Sequence, residues 1–409
     1  MDLQINHDPP TIMHIDLNSC FATVAQQAHP RLREKPLVIA AYSTPSGCVL
    51  ASSIEAKRLG IKTGMRVKDA KKICPNVIVR ENDPELVRDV SDKFMKICSG
   101  YSPRVTPKSV DEIVINFSEA KNYWKKSLTQ IGLEIKKRFL QEIGEWIFCN
   151  VGISTNRTLA KLASSLHKPD GLDVIDYKNI KQVYSSIKLV DFPGINFRYQ
   201  ARLNAAGIFS PLEFLAADDN FLRKIVFQSI VGHYWYLRLR GYEVDDYETT
   251  RKSFGQEYSL GQKTADREKL SQLLMMLTEK MGRRLRASCQ TAQGIYLGIL
   301  YDDWTFWHKG KKFNESLYTT QELFKKALII FSQQPVKKTV RKISISCFGL
   351  SPVGNQNLTL FEMDLEKKRR ISSAVDDIND RWGEYAVAPA LMLESKKIIL
   401  DRIAFGNRD

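Results

Sequence analysis

The chain has 409 residues, 43 % hydrophobic and 10 % aromatic, enough for roughly two to four domains with real cores. No apolar run approaches the ~20 residues of a membrane helix, and the N-terminal MDLQINHDPP lacks the basic start and apolar stretch of a signal peptide. The seven cysteines are scattered singly, which argues against a disulfide framework or structural zinc site and for a reducing cytosol, while the net charge of +15 suits a polyanionic partner.

In chain order, residues 11–17 (TIMHIDL) read as a buried strand ending in a carboxylate, and residues 20–28 as a short helix. Residues 36–41 (PLVIAA) form a strand. Residues 52–60 form a helix closed by Gly60, since glycine tolerates the left-handed cap. Leu86, Val90, Phe94 and Ile97 carry helical spacing through 85–100. Residues 103–117 (PRVTPKSVDEIVINF) read as a hairpin with Asp111 and Glu112 near its turn; 128–143 is an amphipathic helix and 146–154 a strand. This mixture predicts an α+β core.

After about residue 172 the pattern changes. Residues 190–240 are short helices around Val190-Asp-Phe-Pro-Gly-Ile195, a Pro-Gly turn like that of a helix-hairpin-helix. Asn196 stands where its second glycine belongs, and Phe197 is expected to crowd the start of the next helix. A charged linker follows at 241–252. Strands at 253–260, 294–301 and 342–348 with helices at 267–287 and 320–332 predict a small α+β domain with an open sheet face. Between Arg251 and Lys342 there are 18 Lys+Arg against 8 Asp+Glu, so this segment holds most of the basic excess. The tail beyond 352 ends in a helix-like stretch at 364–382.

Three acidic residues sit among apolar neighbours. Asp16 ends a strand, and Asp111 and Glu112 precede IVINF. Buried there, each charge would cost several kcal/mol unless paired or metal-bound. Adjacent strand residues point to opposite faces, so Asp111 and Glu112 reach one site only at a strand end or turn. Three carboxylates can hold two Mg²⁺ ions, which prefer oxygen ligands. The plainer reading makes Asp111 and Glu112 turn residues and Asp16 a helix cap.

The surrounding motifs decide between these readings. Asp16-Leu-Asn-Ser-Cys-Phe21-Ala, Gly47-Cys-Val-Leu-Ala-Ser-Ser-Ile-Glu-Ala-Lys57-Arg-Leu-Gly60, Ser102-Pro-Arg-Val with Ser109-Val-Asp-Glu112, Val151-Gly-Ile-Ser-Thr-Asn156, and Leu159-Ala-Lys161 through Lys168-Pro-Asp-Gly171 occur in that order. The series resembles the Y-family (translesion) DNA polymerases over residues 11–350. Within the family it looks closest to the UmuC-like branch, the polymerase V catalytic subunit, with the DinB-like branch next.

The resemblance implies an α+β multidomain, right-handed polymerase. Its palm would be 1–30 and 80–172, small fingers 31–79, a helical helix-hairpin-helix thumb 173–240, a linker 241–252, an α+β little finger 253–352 and a tail 353–409. Asp16, Asp111 and Glu112, with the Leu17 carbonyl, match the metal ligands for Mg²⁺, with Mn²⁺ as a substitute. Ser19 and Cys20 match positions whose amides face the dNTP triphosphate; Lys57 and Lys168 match its basic contacts. Phe21 matches the steric gate against a 2′-hydroxyl. Ile54 and Ala51 replace residues that carry hydroxyls in relatives; Ser52 or Ser53 is the nearby alternative. His14 and His167 are read as structural.

In the tail, Gln356-Asn-Leu358-Thr-Leu360-Phe361 resembles a bacterial sliding-clamp motif, with Leu360 and Phe361 as apolar anchors and Gln356 as a polar one. The expectation is low-fidelity, template-directed DNA synthesis on primer-template DNA, in the bacterial cytoplasm at the nucleoid, with a sliding clamp and room for an accessory subunit. Its rivals are a catalytically silent clamp-bound scaffold and a palm-fold cyclase. Retention of all three carboxylates speaks against the first, and the basic second domain against the other.

Overall fold

The computed structural model describes residues 4–120, 123–247, 250–335, 338–354 and 363–393. The chain divides into two compact units between Glu248 and Thr249.

The first unit holds strands β1 (Ile12–Leu17), β2 (Leu37–Ala40), β3 (Val49–Ser52), β4 (Ile78–Glu81), β5 (Arg104–Pro107), β6 (Glu112–Asn116), β7 (Cys149–Ser154) and β8 (Leu172–Ile175). Five of them form one sheet in the order β5-β6-β1-β7-β8. β1 is central, antiparallel to β6 and β7. A strand paired on both edges and covered on both faces needs an almost unbroken apolar run. β1 has one, and Asp16 is its single residue that is not buried.

Strand alternation assigns the faces. Met13, Ile15 and Leu17 enter a core with Phe94 and Ile97 of helix Pro84–Ser99 and Ile131, Ile135 and Phe139 of helix Leu128–Glu142. Ile12, with Val114 and Ala160 of helix Arg157–Leu166, packs on the other side. His14 and Asp16 share that second face. Gly152 is required there: a Cβ would sit 2.0 Å from the Ala160 carbonyl oxygen and 2.2 Å from the Ser164 nitrogen. The bare glycine lets the helix lie directly on the sheet.

β3-β2-β4 form a second, three-stranded sheet, with β2 antiparallel to β3 and parallel to β4. Helices Ile54–Arg58 and Val67–Ile73 complete it around Val38, Val49, Ala56, Ile61, Ala70 and Val77. Gly60, at φ +91, takes the left-handed position after the first of these helices. A helical region follows, cored by Tyr184, Phe192, Phe214, Phe227 and Trp235. Here the Pro-Gly turn leads to helix Phe197–Ala205, whose N-cap Asn196 accepts from the Arg198 and Tyr199 amides. Phe197 does not crowd this start as the sequence suggested, because its ring is 72 % exposed.

The stretch after this region is fastened down through residue 246. Glu243 accepts from Arg157 at 2.9 Å, Asp246 takes Arg157 at 2.6 Å and Arg104 at 2.8 Å, and Asp245 pairs with Arg238 at 2.5 Å.

The second unit is an antiparallel sheet of β9 (Ser253–Thr264), β10 (Gln290–Tyr301), β11 (Phe306–Leu317) and β12 (Val340–Phe348), ordered β11-β10-β12-β9. Helices Arg267–Ala287 and Thr320–Phe331 cover one face through Leu274, Leu277, Met281, Leu285, Leu323 and Ile330. β11 went unseen in the sequence because its FWHKGKKFNESL has neither alternation nor an apolar run. It is an edge strand, where lysines guard against edge-to-edge pairing. Helix Met363–Trp382 belongs to this unit: Asp376 pairs with Arg286, which is 4 % exposed, at 2.5 Å, and Tyr385 and Met392 enter the core. The clamp-like Gln356, Leu358, Leu360 and Phe361 lie outside the described residues.

Candidate active site

β1 delivers Asp16 to the end of the five-stranded sheet, directly opposite Glu112 on β6 and Asn150 on β7. Residues 108–112 close the β5–β6 turn, with the Lys108 amide donating to the Glu112 carbonyl at 2.8 Å. The Asp111 carbonyl accepts from the Leu17 amide at 2.9 Å, which joins the turn to the end of β1. Asp111 thus stands just before the strand and Glu112 is its first residue, so the pair escapes strand alternation as the spacing required.

The cluster is charge-compensated by lysines. The Lys161 ammonium donates to both Glu112 carboxylate oxygens, at 2.8 and 2.6 Å, from helix Arg157–Leu166. The Lys168 ammonium donates to Asp16 at 2.6 Å. Asp111 makes no ion pair among the described residues and accepts from the Ser109 hydroxyl at 2.5 Å. Burial, aided by the Asp16 and Glu112 charges, raises its pKa against the pull of that hydrogen bond. Lys57 is exposed at the mouth, yet nearby protein atoms first and the Lys168 charge second lower its pKa, with Asp16 opposing. Lys57 therefore belongs to the same field of charge.

The loop that carries Lys168 is built for its position. Asn150 donates to Asn18 at 2.5 Å and accepts the Gly171 amide at 2.9 Å. A Cβ at Gly171 would meet the His167 carbonyl oxygen at 2.3 Å. Lys136 pairs with Asp170 at 2.9 Å. His167 points elsewhere, to Asp173 at 2.7 Å, which fits its structural reading.

At Ser19 the backbone takes φ 51 and turns into helix Cys20–Ala28. The first amides of such a helix have no partner within it, and its end attracts anions. Burial, then the charges of Asp111 and Asp16, push the Cys20 thiol well above its usual range, which puts this helix start beside the carboxylates. Phe21, 7 % exposed, packs in the core and lines a cavity of about 340 Å³ with Val24, Ile39, Val79 and Leu86. Ser53 cannot supply the missing hydroxyl, because it caps Ala56 and donates to the Lys35 carbonyl at 3.2 Å; the Ser52 hydroxyl is buried without a partner.

Three carboxylates at one sheet end, Asp16 and Glu112 close together and Asp111 within reach of their charges, offer hard oxygen donors, and two ammonium groups already occupy the cationic positions beside them. That donor set fits divalent cations. His14 joins it: its Nε2 has no hydrogen-bond partner and lies 3.9 Å from Glu112. Burial first, and the Lys161 charge second, lower its pKa to about 3, so the ring is neutral.

Two family models match, impB/mucB/samB over residues 15–165 and its C-terminal domain over 251–360, together well over half of the chain. The chain belongs to this family, the Y-family polymerases. DNA polymerase IV of Pelotomaculum thermopropionicum is 29 % identical over 397 residues, 96 % of this chain and 97 % of that protein. DNA polymerase IV of Listeria monocytogenes serotype 4b is 28 % identical over 85 % of this chain and 98 % of its own length. Among solved structures, a Y-family DNA polymerase chimera superposes with a TM-score of 0.74 at 24 % identity, covering 83 % of this chain and 99 % of the other. A binary complex of Dbh DNA polymerase gives 0.61 at 23 %. These relatives carry the polymerase IV name, so the UmuC-like placement drawn from EAKRLG and SPRV finds no support among them. Short shared motifs weigh little against similarity along whole chains.

Within this Y-family frame, the sequence reading gave no site role to Lys161 or Asn150 and read His14 as structural. Lys161 was visible in a motif but has no strand or turn signature of its own; only the helix packing aims it at Glu112. His14 had a usable signal, since it stands two residues before Asp16 and so shares its face.

Proposed function

We propose that this chain is a low-fidelity translesion DNA polymerase that transfers a dNMP to a primer 3′-hydroxyl, with pyrophosphate leaving. The observation that carries this reading is the meeting of Asp16, Asp111 and Glu112 at one sheet end beside Lys57 and Lys168. The whole-chain relatives named DNA polymerase IV favour a DinB-like rather than a UmuC-like member.

Asp16, Asp111 and Glu112, with the Leu17 carbonyl, would hold two Mg²⁺ ions, or Mn²⁺ in their place. Bound there, such ions lower the pKa of an attacking hydroxyl and stabilise the leaving oxygen. The protein's own residues then position and neutralise. Lys168 leaves Asp16 and, with Lys57, meets the triphosphate. The amides at Ser19 and Cys20 meet it at the helix start. The Phe21 ring stands under the sugar and excludes a 2′-hydroxyl. Ile54 and Ala51 cannot add the hydroxyl contacts seen in relatives, which weakens nucleotide binding without changing the reaction.

In this reading the first unit supplies palm, fingers and thumb, and the sheet and two helices of residues 253–352, with helix Met363–Trp382 packed on them, form the little finger. The exposed Lys309, Lys311 and Lys312 of β11 are among its candidates for contact with DNA phosphates, which would add salt-sensitive affinity without reading sequence. Gln356, Leu358, Leu360 and Phe361 would recruit a sliding clamp, and the work would take place at the bacterial nucleoid. A primer-extension assay with Mg²⁺ tests the proposal. Template-directed extension that stops in Glu112→Ala supports it, and absence of extension by the unaltered chain would sink it.

A further inference from the structure

His14 lies buried at 2 % exposure, and its Nε2 is one of the few buried side-chain atoms without a hydrogen-bond partner among the described residues. A buried polar atom left in this state normally finds a partner in the protein or in something the protein binds. The surroundings say what that something would be. One nitrogen of His14 and one oxygen each from Asp16 and Glu112 lie within 4.8 Å of one another. The closest approach is 3.9 Å, to Glu112 Oε2. The backbone holds the arrangement in place. His14 and Asp16 are alternate residues of β1, Glu112 is the cross-strand partner of Asp16, and Gly152 stands opposite His14 with no side chain to intervene.

The structure assigns His14, together with Asp16 and Glu112, to a mixed nitrogen–oxygen site for a first-row transition dication such as Mn²⁺. The inference rests on the carboxylate metal centre proposed above and extends it by one ligand. Mg²⁺ keeps almost wholly to oxygen donors and water, whereas imidazole nitrogen is a ligand for transition ions. A nitrogen donor in an otherwise carboxylate site therefore shifts preference toward the transition ion without preventing Mg²⁺ from using the oxygens. On binding, Lys161 would be released from Glu112 and Lys168 from Asp16, which gives both lysines freedom to move toward a phosphate.

The test reads the metal directly on the full-length chain. Mn²⁺ is added to protein grown with ¹⁵N-labelled histidine, and pulsed electron paramagnetic resonance detects any nitrogen bound to the ion. The expected result is a directly ligated ¹⁴N coupling in unlabelled protein, replaced by a ¹⁵N coupling in the labelled sample, and absent from His14→Phe. The same variant should lose roughly 10–100-fold in Mn²⁺ affinity. Its Mg²⁺ affinity, measured by competition, should change less than about twofold. Because the chain has six histidines, His14→Gln is read beside His14→Phe: should the phenylalanine variant fail to fold, a histidine coupling that persists in the folded glutamine variant overturns the role of His14. Mn²⁺ held by the carboxylates with no histidine coupling overturns the role of His14 and leaves the carboxylate centre standing. Mn²⁺ binding that is unchanged in Asp16→Asn overturns the carboxylate centre itself.

Discussion

Asp111→Asn should make the metal-free protein more stable while nearly abolishing its activity. Asp111 is the one member of the carboxylate trio without an ion pair among the described residues. Its charge is partly buried and lies in the fields of Asp16 and Glu112, which is why its pKa is raised from the ordinary 3.8. The carboxamide keeps an oxygen for the Ser109 hydroxyl and removes the charge. Because Lys168 and Lys161 already offset the two neighbouring carboxylates, the relief is modest, on the order of 1 kcal/mol. In a unit of this size that is about 2–4 °C in melting temperature. The pH dependence has a definite sign. A carboxyl whose folded pKa lies above its unfolded value favours the fold while protonated, and that advantage is lost as pH rises through the folded value. The variant's gain should therefore be full at neutral pH and vanish in acid below the ordinary carboxylate range. Primer extension should fall by at least 10²–10³-fold, the scale of losing one charge-stabilising group. Thermal melting at pH 7 and at pH 3 and single-turnover extension decide it. A variant that melts lower at neutral pH, or extends normally, refutes the reasoning.

Phe21→Ala should raise ribonucleotide incorporation relative to dNTP; a constant ratio in paired extension assays would return Phe21 to plain core packing. Gly152→Ala should cost about 1–3 kcal/mol or more, because the new methyl meets backbone at 2.0 Å and must lift helix Arg157–Leu166 and its Lys161; melting temperature and extension rate should fall together. Truncating Leu360 and Phe361 together to Ala should remove roughly 1.5–3 kcal/mol of burial each from a clamp complex, less the cost of ordering the peptide. Clamp affinity and clamp-stimulated synthesis should drop while melting temperature and clamp-free synthesis hold; the reverse pattern would mark the segment as a packed part of the second unit.

Much of the framework was legible because it depends on local pattern. The apolar run TIMHIDL, the spacing of Leu86, Val90, Phe94 and Ile97, and the helix at 267–287 announce their elements without reference to the rest of the chain. The carboxylates were legible because charge amid IVINF and TIMHIDL has to be explained by pairing or by metal. Elements at the margins of pattern were not. β11 sets its few apolar residues among lysines without a period, and β3, β4 and β8, four residues each, lack the all-apolar run that made the equally short β2 legible. Their strand state comes from neighbours that supply hydrogen-bond partners, which no local sequence contains. The charge balance of the site was likewise settled in three dimensions. Lys161 reaches Glu112 because Gly152 allows its helix onto the sheet, and Lys168 reaches Asp16 because Asn150 ties down the loop at Gly171. His14 could be placed on the face of Asp16 by counting residues along a strand. That its Nε2 is left without a partner depends on everything packed around it. Composition and periodicity act through bonded neighbours and so survive in the sequence, while partnership between distant side chains exists only once the sheet, helix and loop have met.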